Sequence, residues 1–362
     1  MLIPQQKLAT PSLSEIVNSA KLNNLDTEKY FPNGYWTPSA RAAIKLLLDQ
    51  LKVQEVLLPA FTCKVVLNAI KLASTKPVLF DSGMLTDYKE LKDKIKGTDA
   101  KVLLLPYNLG FLPELNRIQT LCKKEKILLI EDCAQALGAV YNSKPAGSFG
   151  DFSIFSFGIS KNIGFYGGLL KSNNPFKFKN TLKDKSKSSE LYLTIFKSLI
   201  SNYFFNPYIF PLTSHLLKIG LRREHKFNEK DYYNYDLPKV AKRIIINRLL
   251  SYKKILAIRA TNALRCTEEL EGYVDFVKPI KGTKPSWLYF VITTSKREKM
   301  LKLLRKQNVE LQPLQTFKNL GSSEQFPEAE AFSNIYLTFA LYRPRWEIDY
   351  ITKKIKLVSK QL

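Results

Sequence analysis

The sequence predicts an α/β protein: a large domain with a mostly parallel central sheet sandwiched by helices, then a smaller C-terminal α+β domain. Three observations predict it. Between residues 39 and 135, short strand-like runs alternate with amphipathic helical patterns. Those runs are apolar throughout, as in parallel strands buried on both faces. At 362 residues the chain also exceeds the about 250 to 300 residues at which single cores stop growing. We therefore expect a large domain over 1–235 and a small one over 236–362.

Along the chain, "SARAAIKLLLDQL" reads as a helix opening on Ser39, "EVLLPA" as a strand and "TCKVVLNAIKLA" as a helix. "KPVLFD" is a strand, "TDYKELKDKI" a helix, "AKVLLLPY" a strand, "PELNRIQTLCKKE" a helix, and "KILLIED" a strand ending on two acids. "SIFSF" continues the sheet. Beyond "EHKFNEKDYYNYD" a helical pattern runs from Pro238 to about Leu270. The small domain then offers a strand in "WLYFVITTS", a helix in "KREKMLKLLRKQN" and a last helix from about Trp346 to Val358.

Composition narrows the function classes. The 56 Lys and Arg against 32 Asp and Glu give a formal charge of +24, which suits nucleic acid, a membrane surface or a phosphorylated substrate. The basic residues are scattered, so a solvated lysine-rich surface accounts for them equally well, and no nucleic-acid-binding signature accompanies them. We expect no nucleic-acid partner. Four cysteines without metal-type spacing and only two histidines leave little material for a metal site. Reduced thiols and the absence of a signal-like N-terminus predict a cytoplasmic protein.

Residues 191–221, inside an apolar helical insert at about 176–225, are strongly apolar and come after the lysine-rich "KFKNTLKDKSK". A membrane span needs about 20 apolar residues, and here Pro207, Pro211, Lys197, His215 and Lys218 interrupt the run. Two readings stay open: a helical hairpin packed on the protein or at a subunit interface, and a peripheral contact with anionic lipid.

In such sheets ligands bind beyond the carboxyl ends of the strands. That edge receives Asp132 and Gln135 after "KILLIE", and Ser156 and Lys161 after "SIFSF". A lysine amine, a carboxylate and hydroxyl or small residues are what pyridoxal 5'-phosphate requires. The amine condenses with its aldehyde, the carboxylate keeps its ring nitrogen protonated, and the small residues hold its phosphate. Each residue also has a plainer reading. Asp132 could cap the next turn, Gln135 could be an exposed loop residue, Ser39 could be only a helix cap, and Asn234 could be a turn residue.

The stretch "EDCAQALGAVYNSKPAGSFGDFSIFSFGISKNIGFYGGLL" resembles the DegT/StrS-type family of sugar aminotransferases. The family pattern is an "EDAAQA" segment, a "G-D-x-x-x-F-S-F" run, the lysine and a "GG" turn. Here these are Glu131 to Ala136, Gly150-Asp151 through Phe157, Lys161, and Gly167-Gly168. "SARAAIKLLL", "LLPAFTCKVVLNAI", "YYNYDLPKVAKRIIINRL" and "FPEAEAF" extend the likeness over nearly the whole chain. The resemblance implies the aspartate aminotransferase-like fold, called fold type I, with pyridoxal 5'-phosphate as cofactor and a homodimer with shared sites. It implies Lys161 as the Schiff-base lysine, Asp132 as partner of the ring nitrogen and Gln135 against the ring or its phenolic oxygen. Ser156 and the main-chain N–H groups of Arg41 and Ala42 would hold the phosphate, the latter at the positive end of a helix. Asn234 would reach the phosphate of the neighbouring subunit.

Departures from the pattern bear on the substrate. Cys63 stands where many relatives stack an aromatic ring on the cofactor, Ala40 replaces a glycine, and Asp236 stands where an arginine is usual. One branch of the family has histidine for the lysine and deoxygenates its sugar; Lys161 argues against that branch. The expected activity is amination of a nucleotide-linked keto sugar with glutamate as donor, in polysaccharide or glycoconjugate biosynthesis. The alternative is an inactive relative acting as a regulator or scaffold.

Overall fold

Alternating side chains on seven strands fill two separate cores, one on each face of a single sheet. The computed structural model describes residues 1–20, 27–176, 178, 188–213, 229–232 and 235–362. Its strands are β1 (Gly34–Thr37), β2 (Glu55–Pro59), β3 (Phe61–Cys63), β4 (Lys76–Phe80), β5 (Val102–Pro106), β6 (Leu128–Asp132), β7 (Val140–Tyr141), β8 (Lys144–Pro145), β9 (Phe152–Ser156) and β10 (Gly168–Ser172), then β11 (Asp275–Phe276), β12 (Thr283–Lys284), β13 (Tyr289–Thr293), β14 (Phe317–Asn319) and β15 (Tyr336–Ala340). Its α-helices are α1 (Leu13–Ala20), α2 (Thr27–Tyr30), α3 (Ala40–Leu51), α4 (Lys64–Leu72), α5 (Tyr88–Lys96), α6 (Leu115–Lys124), α7 (Ser188–Phe204), α8 (Lys239–Leu270), α9 (Arg297–Lys306), α10 (Pro327–Ile335) and α11 (Arg345–Ser359).

The main sheet has the order β1-β10-β9-β6-β5-β2-β4. Strands β9, β6, β5, β2 and β4 are mutually parallel, and β10 alone runs against its neighbours β9 and β1. Leu57, Leu103, Leu105, Leu129 and Phe155 face a core that includes α6 and the first half of α8. Val56, Leu58, Leu104, Ile130 and Ile154 face the opposite core, built with α3 and α4. The period of two along each strand therefore assigns Glu131 to the first face and Asp132 to the second.

The second unit is antiparallel: β13 lies between β11 and β15, with α9 and α11 packed on its apolar face. The N-terminus joins this core, because Ile3 is fully buried in it and bridges Val309. Helix α8 crosses between the two: Ala241 and Ile244–Ile246 lie in the first core, Ala263, Cys266 and Leu270 in the second.

Most expected elements are present. One differs: the helix expected from Thr62 begins at Lys64, because Phe61–Cys63 pair as β3 with β14. Strand pairing satisfies backbone groups that a helix start leaves open, and it brings residues 317–319 of the C-terminal half against Cys63. "FPEAEAF" forms α10 with Pro327 in its first turn, and Asp81 at the end of β4 accepts from the N–H groups of Glu328 and Ala329 at 2.9 and 3.0 Å. That carboxylate satisfies donors the helix cannot satisfy itself.

The apolar insert is described in part, as α7 and the turn after it. Leu191, Ile195 and Leu199 pack on the first core. Tyr192, Phe196 and Tyr203 point outward, 70%, 60% and 70% exposed, as do Leu193, Tyr208 and Leu212. Among the described residues no helix is long and apolar enough to cross a membrane.

Candidate active site

The site forms where β6 and β9, neighbours in the sheet, run out at the same edge. Asp132 is the last residue of β6 and pairs with Ile154, two positions before Ser156 closes β9. Ser156 in turn pairs with Gly168 of β10. A Cβ on Gly168 would lie 2.5 Å from the Ser39 carbonyl carbon and 2.6 Å from the Ala40 nitrogen, so only glycine lets α3 begin this close to the sheet. The "GG" turn thus brings the N-terminus of α3 beside Ser156. Gly167, at φ 92°, makes the turn itself.

Ser39 caps α3, its Oγ accepting from the Ala42 N–H at 3.2 Å. Ser39 thus caps its helix, and an anion at this helix end would share the Ala42 N–H with that cap. Arg41 lies with its guanidinium 5.7 Å from the ring centre of Tyr232. Ser156 Oγ is 3.5 Å from the Gly158 N–H, a long contact that leaves its hydroxyl weakly engaged.

Adjacent acids have opposite surroundings. Glu131 is fully buried, and its oxygens accept from Tyr107 at 2.6 Å and from the N–H groups of Gly147, Phe149 and Gly150 at 2.7, 2.7 and 2.6 Å. Burial raises its pKa, opposed by those four bonds, and it ties the 147–150 loop to the sheet. Asp132 is 6% exposed and accepts from the Ala134 N–H at 3.0 Å. Burial raises its pKa also, opposed by that bond and by the charge of Lys161. Asp132 does fasten the local turn, and the charge of Lys161 is near enough to oppose the rise in its pKa.

Lys161 sits on a closed loop: its N–H donates to Gly158 O at 2.9 Å, and Phe165 N–H donates to Phe157 O at 2.7 Å. Burial lowers the pKa of its amine; Cys63 and Asp132 push it up and Arg41 pushes it down. Three residues from three parts of the sequence thus act on the Lys161 amine. Gln135 is buried, not exposed: its Oε1 accepts from Leu109 N–H at 2.8 Å, and its carbonyl accepts from Ser286 Oγ at 2.7 Å. Leu109, at φ 57°, takes a conformation unfavourable for a branched side chain, held by that bond. Asn234 lies outside the described residues. Asp236, one of the departures from the family pattern, is 57% exposed and pairs with Lys242 at 2.7 Å.

The donor set fits a phosphorylated aldehyde cofactor: a desolvated amine, a buried carboxylate near it, and a helix N-terminus with a weakly engaged hydroxyl. The sequence did not single out Tyr107, Asn108, Asn162, Arg248 or Arg259. Asn108 links Thr62 and Phe61 O to this edge, at 3.1 and 2.8 Å. A readable signal existed for the arginines, which interrupt the apolar stripe of α8 where a charge is costly.

The opposed influences on Lys161 make its titration a test. Because its pKa is lowered, the free amine should appear below the ordinary lysine range. Asp132→Asn removes a charge that holds the proton on, so the midpoint of Lys161 acylation against pH should fall further. A midpoint at the ordinary lysine value in both proteins would refute the buried site.

The chain matches the family model described as the DegT/DnrJ/EryC1/StrS aminotransferase family over residues 32–344. It is 24% identical over 324 residues to GDP-perosamine synthase of Vibrio cholerae, covering 84% of this chain and 78% of that protein. It is 34% identical over 144 residues to the UDP-N-acetyl-3-dehydro-alpha-D-glucosamine 3-aminotransferase of Acidithiobacillus ferrooxidans; that match spans 37% of this chain and only 38% of the relative. Among solved structures it resembles the PLP-form of Spr1654 from Streptococcus pneumoniae, with a TM-score of 0.73 at 20% identity over 100% of this chain and 98% of that one. That likeness carries the fold. Since the family match runs through both cores and takes in Asp132, Gln135, Ser156 and Lys161, the chain belongs to the DegT/DnrJ/EryC1/StrS aminotransferase family.

Proposed function

We propose that this protein is a pyridoxal 5'-phosphate-dependent aminotransferase that converts a nucleotide-linked keto sugar into an amino sugar, with glutamate as amino donor, in the cytoplasm. The observation that carries it is the meeting of a desolvated Lys161 with Asp132 at a sheet edge that also holds Ser156 and the start of α3. The cofactor, when bound, supplies an aldehyde that takes up amino groups and a protonated ring that draws off electrons. Lys161 Nζ, deprotonated at lower pH than a surface lysine, would hold the cofactor, then take a proton from the donor's Cα as general base and deliver it as acid to the carbon that had been the cofactor's aldehyde. Asp132 keeps the ring nitrogen protonated. Gln135, fixed through Leu109, would stand against the ring, while Ser156 and the N–H groups of Arg41 and Ala42 would hold the phosphate. Cys63, beside Lys161, occupies the place of a stacking ring and contributes little stacking. Positive charge on the surface draws in the diphosphate of the sugar nucleotide. Products of this kind supply polysaccharide and glycoconjugate assembly, and the names of the relatives support the substrate class.

A homodimer with shared sites belongs to the same reading, with Asn234 serving the neighbouring phosphate. The domain division at 235/236 is likewise proposed, α8 being the connection. An inactive regulator is the competing reading; the complete set of Lys161, Asp132 and Gln135 disfavours it.

With cofactor but no sugar, glutamate should yield about one equivalent of 2-oxoglutarate per site, and Lys161→Ala should slow this at least about 10³-fold. If wild-type protein releases no keto acid from any amino donor, the regulatory reading takes its place.

A second reading concerns location. The outward aromatic face of α7, next to a lysine-rich sequence, favours peripheral contact with anionic lipid. The protein should co-sediment with vesicles containing phosphatidylserine and lose this on Tyr192→Ser with Phe196→Ser; equal recovery with neutral vesicles, or none with either, removes the idea.

A further inference from the structure

The tip of the Lys161 loop is held by two buried arginines of α8. Arg248 Nε donates to Ile163 O at 2.7 Å, its Nη1 donates to Glu15 at 2.8 Å, and its Nη2 donates to Ala9 O. Arg259 Nη2 donates to Asn162 O at 3.2 Å and its Nη1 to Asn162 Oδ1 at 2.9 Å. Tyr252 lies between them and donates from its hydroxyl to Asn162 Oδ1 at 3.1 Å and Leu137 O at 2.9 Å.

Positions 248, 252, 255 and 259 share one helix face, so the two guanidinium groups start about 16 Å apart along α8 and converge on consecutive carbonyls. These are the carbonyls of the two residues directly after Lys161. From the other side the loop is pressed against the N-terminal segment: a Cβ on Gly164, at φ 62°, would lie 2.4 Å from Ala9 O. The loop's own hydrogen bonds close its ends, and the arginines fix its tip.

Burying a guanidinium is costly unless its donors are met. Arg248 has Glu15, whereas Arg259 donates to neutral acceptors, Asn162 and the Tyr252 hydroxyl. Among the described residues Arg259 Nε has no acceptor, so this guanidinium keeps an unmet desolvation cost at the place where it holds the loop. One turn beyond Arg259, Asn262 donates to Leu341 O and Arg343 O at 2.8 and 2.9 Å. The same face of α8 therefore grips the lysine loop and then the segment after β15.

We propose that Arg248 and Arg259 are positioning residues for Lys161, holding the two residues after it from one face of α8. The proposal rests on Lys161 being the reactive amine, and its test is independent of cofactor chemistry. In the full chain without added cofactor, Arg248→Lys and Arg259→Lys keep the charge but cannot span the same acceptors. Hydrogen exchange of the peptide covering 157–165 should speed at least about tenfold in each. Acylation of Lys161, measured against other lysines in the same sample, should change at least about threefold. Arg343→Lys is the control: Arg343 is equally buried, bonded to Glu347, Pro4 O and Gln5 O, and should move neither readout. Tyr252→Phe, a milder change, should fall between. Unchanged exchange and labelling in the folded Arg248 and Arg259 variants would overturn the proposal, as would an equal effect from Arg343→Lys.

Discussion

Two neighbouring carboxylates at the end of β6 govern the organisation of this molecule. Strand pleating turns Glu131 and Asp132 to opposite faces. Glu131 enters the interior and is satisfied there by Tyr107 and three backbone amides, which fixes the loop leading into β9. Asp132 faces the other side, with one amide and the charge of Lys161 to offset its burial. Burial pushes its pKa up, and what opposes this is first the Ala134 amide and then the cation of Lys161. The arrangement of β9, β10 and the loop after β9 supplies that cation.

Glycine geometry does the rest of the assembly. Gly168 lets α3 begin against β10, and this puts the positive end of a helix beside Ser156. The same edge is closed by contributions from far along the chain: β14 pairs with β3 at Cys63, and Ser286 holds Gln135. Most of these contacts join residues distant in sequence, so the site exists only in the complete fold.

Much of this organisation is legible in the sequence. The parallel strands are visible as apolar runs, and Asp132, Gln135, Ser156 and Lys161 can be assigned to one edge because each lies at or just past the carboxyl end of a strand. The β3 pairing is not legible, because three residues carry no periodicity and their partner "FKN" lies in the C-terminal half. Nor is the order within the helix end: Ser39 as cap and Ala42 as a phosphate donor both fit the sequence, and only the 3.2 Å contact shows the cap formed. The hold on the lysine loop escapes a reading of the sequence because hydrogen bonds from Arg248 and Arg259 to main-chain carbonyls leave no pattern at the receiving end. Their own positions on an apolar stripe are the sole trace.

Lys161, alone among the many lysines, is held to be the attachment point for the cofactor, and the rest of the mechanism depends on it. Reduction with borohydride after adding pyridoxal 5'-phosphate, with peptide mapping of the product, tests this directly. One stable label per chain should appear on the peptide containing Lys161, and none there in Lys161→Ala. A label spread over surface lysines, or absent from Lys161, would contradict the assignment.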